Sequence, residues 1–219
     1  MKKLITLSIL LSLFGLSSVF AQTPAIGDNY QGGKVAYILQ PGDPGYVLGQ
    51  IRGLIAAPSD QSSGIRWNNG TNVSTGALGQ HLGTGKANTD LIVAVQGAGS
   101  YAAKLCDNLV LGGYDDWYLP SIDELSKLYL NRAAIGGFAP DFYWSSSETN
   151  ATMVESLFFP SYNISGWPKN YTYNVRAVRT FIVSQSSPVP TLSQWGMIIF
   201  TVLLLAVGTV YVRRRQLNA

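Results

Sequence analysis

Apolar positions recur along this chain with three rhythms, and each predicts a different kind of element. Two stretches are apolar almost without interruption: residues 4–19, which follow Lys2 and Lys3, and residues 195–212, which precede Arg213-Arg214-Arg215. Between them the runs are short. Residues 34–39, 52–57, 143–148, 153–159 and 175–181 read as strands, with 46–48 as a shorter one. Within 52–57, Leu54 and Ala56 face the core and Ile55 a neighbouring layer. Residues 175–181 place Val175, Ala177, Arg179 and Phe181 on one face and Arg176, Val178 and Thr180 on the other. A strand with an arginine on each face is not a plain sheet exterior. At least one guanidinium is expected to reach a carboxylate or a chain of carbonyls, with Asp116, Asp123, Glu124 and Glu148 as the available acids.

The helical rhythm appears three times. Residues 86–96 put Leu91, Ile92 and Val95 on one face with Ala87 or Asn88. Residues 101–109, capped by Ser100, form a stripe of Ala102, Leu105, Cys106 and Leu109. The third helix is the most strongly specified. Gly112-Gly113 makes a turn, Trp117-Tyr118-Leu119 is extended, and Pro120 keeps Leu119 out of the helical region. Ser121 and Glu124 then form a capping box for a helix over 122–130, and Asp123 and Glu124 suit the positive end of its dipole. Trp117, Leu125, Trp144, Val178 and Cys106 are expected to share one core. Residues 59–86, 135–142 and 160–174 read as loops.

The formal charge of +3 changes meaning once it is located. Lys2, Lys3 and Arg213 to Arg215 sit at the two ends, while residues 22–184 hold ten basic and twelve acidic side chains, close to −2. The basic balance therefore concerns membranes and not nucleic acid. The first apolar stretch, with its positive start and Val19-Phe20-Ala21, has the form of a secretory signal cleaved after Ala21. The second is charge-free over 195–212 and rises about 27 Å as a helix, close to a bilayer core. Trp195 and Tyr211 stand at interfacial positions, and the three arginines orient the ectodomain away from the cytoplasm. The expected organisation is a signal peptide at 1–21, an ectodomain at 22–184, a linker and sorting motif at 185–196, a transmembrane helix at 197–212 and a basic tail at 213–219.

Candidate chemistry is sparse. There is one cysteine and one histidine, so no disulfide framework and no zinc or iron site is expected, and no cofactor. Cys106, on an apolar stripe, reads as a reduced buried thiol. Gly83-Thr84-Gly85 lacks the spacing of a phosphate loop, and Ser145-Ser146-Ser147 lacks the Gly-x-Ser-x-Gly elbow. The pairs Asp115/Asp116 and Asp123/Glu124 read as a turn and a helix cap. Recognition residues are easier to name. Arg66 and Trp67 lie in the first long loop, and Tyr162, Trp167, Lys169 and Tyr171 in the second. Aromatics of this kind stack on sugar rings, and the basic groups pair with acidic ones. Trp67 is either such a platform or a plug that pins its loop.

The ectodomain resembles a bacterial extracellular family named for the C-terminal domain of a Legionella collagen-like adhesin. The likeness runs over about 30–181: Gly53-Leu54-Ile55, Asn88-Thr89 with Ile92, Ala102-Ala103 with Cys106, then Asp116 to Ser121 with Glu124-Leu125, Tyr143 to Glu148, and Val175 to Arg179. It implies an α+β, C-type-lectin-like domain with two main helices and a curled antiparallel sheet; the one C-terminal transmembrane helix expected after it rests on the charge-free stretch. Family members often carry a cysteine where Ala177 stands, which would leave Cys106 without its partner. The calcium–sugar signatures of lectins and the cysteine pair of formylglycine-generating enzymes are absent. The tail resembles an IPTL-type sorting signal through Pro190, Thr191, Leu192, Trp195 and Gly196 ahead of Arg213, Arg214 and Arg215, with Val189 in the usual isoleucine position. That resemblance implies an exosortase-like transpeptidase as partner. The expected function is an exported, non-enzymatic recognition or adhesion module for glycans or other extracellular polymers. The alternatives are a structural or self-assembling subunit and, last, a hydrolase.

Overall fold

The computed structural model describes residues 23–183 and 192–217. The signal segment with Ala21, the linker, and Pro190 and Thr191 of the sorting motif lie outside the described residues. The chain divides into two units, one ending at Val183 and one beginning at Ser184.

The first unit is α+β. Strands β1 (Asn29–Tyr30), β2 (Gly33–Ile38), β3 (Ile51–Ala56) and β9 (Val178–Val183) make a four-stranded antiparallel sheet in the order β1-β2-β3-β9. Strands β4 (Ser62–Arg66), β5 (Phe142–Glu148), β6 (Met153–Phe158), β7 (Asn163–Pro168) and β8 (Thr172–Val175) make a second sheet, ordered β4-β8-β5-β6-β7. Within it only the β5–β8 pairing is parallel. The helices are α1 (Gly85–Gln96), α2 (Ala102–Asp107), α3 (Ile122–Leu130) and α4 (Arg132–Ile135).

Alternation on two strands explains how the core is organised. On β3, Ile55 packs into one apolar cluster while Leu54 and Ala56 pack into another. On β5, Trp144 joins the first and Tyr143 the second. Both strands are therefore buried on both faces. The single core expected from sequence is two. Trp117, Trp144 and Cys106 lie in the first cluster, and Leu125 and Val178 in the second. Cys106 is a free, buried thiol whose pKa is pushed up by burial and then by Asp107, and Ala177 lies in the same cluster.

The helix over 122–130 forms with the predicted capping box. Ser121 Oγ accepts from Glu124 N, and Glu124 accepts from Ser121 N at 2.8 Å. Elsewhere the structure corrects the reading. Helix α1 buries Gly85, Asn88, Thr89 and Ile92, leaving Leu91 and Val95 exposed. Its inner face is polar because Asn88 and Thr89 bridge to Gly79, Ser146 and Leu119. Helix α2 begins after Tyr101, which is fully buried, and Ser100 makes no cap. Residues 46–48 form no strand.

The strand expected over 175–181 is broken at Arg176-Ala177, where the chain passes from β8 in one sheet to β9 in the other. Arg176 is fully buried at that crossing. Its Nε donates to Asp60 at 2.6 Å, its Nη atoms donate to the carbonyls of Ala57, Gly136 and Gly137, and it lies over the Phe138 ring. Arg179 makes a two-pronged pair with Asp116, at 2.6 and 3.0 Å, and stacks on Tyr114. Both arginines thus find carboxylates. Asp60, in a segment read as loop, was not among the acids expected to serve.

The architecture is α+β with a curled sheet that is antiparallel apart from the β5–β8 pairing, as expected, and its strands divide into two ladders. The lectin-like topology finds no support in it. The second unit is one helix, α5 (Leu192–Leu217), whose described apolar side chains point outward. Among the described residues no helix is long and apolar enough to cross a membrane.

Candidate recognition surfaces

The first site grows from the alternation on β5. Phe142 shares a face with Trp144 but sits at the strand's start, where the first core cluster opens to solvent. It faces Phe158 across the β5–β6 ladder, ring centroids 4.6 Å apart, and stacks on Tyr173 of β8 at 4.8 Å and 26°. Trp167 of β7 meets Phe142 edge-on at 5.2 Å, and Tyr171 leans on Trp167 at 5.5 Å. The Trp167 indole is held by its donation to Ser165 Oγ at 2.9 Å. Tyr171 is 47 % exposed, and Phe142, Phe158, Trp167 and Tyr173 are half-buried. Burial, then Tyr171 and Asp141, pushes the Tyr173 hydroxyl up to about 12, so it stays a neutral donor. Exposed Arg66 stands opposite Thr172 in the β4–β8 pair. Paired with Thr172, Arg66 points to the face opposite Tyr171 and Tyr173, so the result is an aromatic platform without that cation.

Of the six residues proposed from sequence, Trp167 and Tyr171 meet here, and Arg66 lies on the other face of the β4–β8 pair. Phe142, Phe158 and Tyr173 were missed because 160–174 was read as loop. Reading β7 and β8 as strands would have shown Tyr171 and Tyr173 two apart, on one side of the chain.

Trp67 and Lys169 are corrections, for both are completely buried. Trp67 is the plug: its indole donates to Ser145 O at 2.8 Å, and the Lys169 ammonium lies 4.6 Å from its ring centroid. Lys169 points inward because a carboxylate waits there. Its Nζ donates to Glu148 Oε1 at 2.5 Å and to Val73 O at 2.9 Å. Burial pushes the Glu148 carboxyl up, but hydrogen bonds from Lys169 and Thr75 outweigh it, and the pKa ends below the ordinary value. Neither residue can touch a ligand in this fold.

Tyr162 lies elsewhere. It adopts φ +52°, uncommon for a residue with a side chain, and its ring rests on Tyr129 at 4.8 Å. It is one wall of a cleft of about 300 Å³ lined also by Asp43, His81, Asp123, Lys127 and Leu130. His81 Nδ1 is 3.2 Å from Asp123 Oδ2. Ser126 also lines the cleft, but its hydroxyl donates to Ile122 O, so His81 and Asp123 have no activated nucleophile beside them.

The remaining candidate chemistry is committed to structure. Ser145 and Ser147 donate to Glu155 O and Gly79 O, and Ser146 accepts from Asn88. Glu124 is buried among neutral donors from Gly83, Tyr118 and Ser121, and burial dominates, raising its pKa. Gly85 must lack a side chain here, since a Cβ would come within 2.2 Å of Glu124 Oε2. Among the described residues no cluster of His, Cys, Asp and Glu could hold a metal ion.

The sequence model of the Lcl C-terminal domain matches residues 57–179, more than half of the chain. This chain belongs to the Lcl C-terminal domain family. The IPTL-CTERM motif matches residues 187–216, so the Lcl domain is followed by a C-terminal sorting motif. Within that motif Leu192, Trp195, Gly196 and Arg213 to Arg215 lie on α5. A crystal structure of a fimbrial protein from Bacteroides ovatus is similar at 15 % identity with a TM-score of 0.45. The match covers 72 % of this chain and 45 % of that one, so it spans less than half of the fimbrial protein. No curated protein matches.

Proposed function

We propose that this Lcl domain is a non-enzymatic recognition module displayed outside the cytoplasm, and that it engages glycans or other extracellular polymers through the aromatic platform. The observation that carries this reading is the contiguous, partly open set Phe142, Phe158, Trp167, Tyr171 and Tyr173. Aromatic faces exposed on a sheet stack on the apolar faces of sugar rings, and their tyrosine hydroxyls bond to ring hydroxyls. The rigid strands beneath keep the rings in place, which limits the entropy lost on binding.

The address follows from the two ends. The signal segment is cleaved after Ala21. Helix α5, through its charge-free stretch 195–212, spans the inner membrane until an exosortase-like enzyme processes the sorting motif. Its threonines suit lipid, since Thr201 and Thr209 hydroxyls donate to carbonyls of their own helix. Protease added to intact spheroplasts should digest the ectodomain; protection of 30–180 would overturn the topology.

Binding is tested with the 22–184 fragment on immobilised polysaccharides and matrix polymers. Trp167→Ala and Tyr171→Ala should each lower retention about tenfold while leaving the melting temperature within a few degrees. Unchanged retention in both would remove the platform from recognition. A second reading, an assembly subunit, has one observation in its favour. Among the described residues strand β7 pairs only with β6, leaving one edge open, and Ile164 on it is 42 % exposed. Stable self-association with no polymer retained would favour it.

A further inference from the structure

The cleft beside α3 lies on the opposite side of the second sheet from the platform. Phe142 and Phe158 sit on the face of the first core cluster, whereas Tyr143, Leu157 and Phe159 belong to the second, where Tyr129 and Tyr162 stack. Four features of this cleft converge. Its volume, about 300 Å³, is at the small end for ligand sites. One wall is the ring of Tyr162, with one side on Tyr129 and 43 % of its surface open. Two carboxylates come from distant parts of the chain. Asp43 Oδ2 is committed to Tyr37 and the Gln40 amide, and Asp123 Oδ2 to His81, which leaves the Oδ1 of each without a hydrogen bond among the described residues. Beside them stand the far nitrogen of the His81 ring, which accepts while Nδ1–H donates to Asp123, and the Lys127 ammonium, a donor held 4.5 Å from the Tyr37 ring centroid.

An aromatic wall, carboxylate and imidazole acceptors and an ammonium donor in a cleft of this size match one chemistry. A sugar ring presents an apolar face for stacking and vicinal hydroxyls that donate and accept at its rim. A purely cationic ligand would meet Lys127, and a purely anionic one would meet Asp43 and Asp123. The charges therefore disfavour both and leave a neutral polyol ring as the complement. The Tyr162 backbone fits this role, because a residue held at positive φ is maintained by its surroundings and fixes the direction of its ring.

We propose that the cleft formed by Asp43, His81, Asp123, Lys127, Leu130 and Tyr162 is a second binding site, taking one neutral sugar residue. This rests on the glycan reading of the domain but not on the platform. The test uses the full chain in a non-glycosidic detergent and saturation-transfer NMR with methyl glycosides of neutral hexoses and N-acetylhexosamines. At least one glycoside should receive saturation from wild type. Asp123→Asn should lower its affinity about tenfold, and Tyr162→Gly, which removes the ring while relieving the backbone, should do so equally. Trp167→Ala should leave it unchanged. Two results overturn the site: no saturation transfer to any glycoside, or a signal lost in Trp167→Ala and kept in Asp123→Asn. Polymer retention by the platform, measured in parallel, separates failure of the cleft from failure of the glycan reading. Retention that persists without glycoside binding condemns the cleft alone.

Discussion

Two buried glutamates in this domain titrate in opposite directions. Glu124 caps α3 and accepts only from neutral donors, the Ser121 and Gly83 amides and the Tyr118 hydroxyl. Glu148, at the end of β5, accepts from Thr75 and from a fully buried ammonium, Lys169. Burial raises both carboxyls. At Glu124 it wins against the neutral donors, and at Glu148 the Lys169 and Thr75 bonds outweigh it. Full hydrogen bonding is thus not equivalent to compensation of charge. Neutral dipoles make the carboxylate tolerable, whereas a nearby cation makes it the preferred form. The two sites also do different work. Glu124 ties the loop at Gly83 to one helix start. The Lys169–Glu148 pair ties residues 73–75, β5 and the turn after β7, with Trp67 packed over it.

The largest effect should come from removing the cation. Lys169→Met leaves Glu148 buried and unpaired, and should cost about 3–5 kcal/mol in urea unfolding. Adding Glu148→Gln should recover more than half of that loss, because the glutamine carbonyl can still accept from Thr75. Two losses that simply add would show that the pair is not a coupled ion pair.

This contrast also shows what the sequence could reveal. Ser121 and Glu124 are three residues apart, so the capping box and its helix were legible from local spacing alone. Glu148 and Lys169 are 21 residues apart, and Asp60 and Arg176 are 116 apart. Such pairs depend on how two sheets meet, which no local pattern encodes. The same reason hid the platform. Trp167 and Tyr171 were visible as aromatics, but reading 160–174 as loop concealed that β7 and β8 bring them beside Phe142. Lys169 was read as a ligand contact because the carboxylate that draws it inward lies on another strand. Alternation on β3, by contrast, told correctly that Ile55 and its neighbours serve different layers, since that needs only one strand.

The second prediction concerns the neutral-donor site. Glu124→Gln keeps one acceptor for Gly83 and Tyr118 but turns an amide toward the Ser121 N–H. One lost hydrogen bond should cost about 1–2 kcal/mol, offset in part because no charge remains to be desolvated. The loss should therefore be well below that of Lys169→Met. A cost as large as the lysine variant's would mean that Glu124 is held as a carboxylate by something beyond its three donors.

The smallest effect is the most discriminating, because the two sites predict opposite slopes with pH. Glu148 has a folded pKa below the ordinary 4.5. Its contribution is present above that value and is lost as pH falls through the lower folded pKa. Glu124 has a folded pKa above 4.5. Its contribution is complete below 4.5 and is lost as pH rises through the folded pKa, since the native state then holds the proton that the unfolded state has released. For these two groups stability is greatest near pH 4.5 and declines on either side, each slope below about 1.4 kcal/mol per pH unit, the limit for one proton. Glu155, whose pKa is raised by burial and then by Asp123, is common to all variants and cancels in differences from wild type. Urea unfolding between pH 3.5 and 7 should show Glu124→Gln flattening the decline above 4.5 and leaving the acid side intact. Lys169→Met should do the reverse on the acid side and steepen the decline above 4.5, because Glu148 without its cation becomes a second buried carboxyl with a raised pKa. Parallel profiles for wild type and Glu124→Gln above pH 4.5 would show that Glu124 is ionised as easily in the fold as outside it, and the contrast between the two glutamates would collapse.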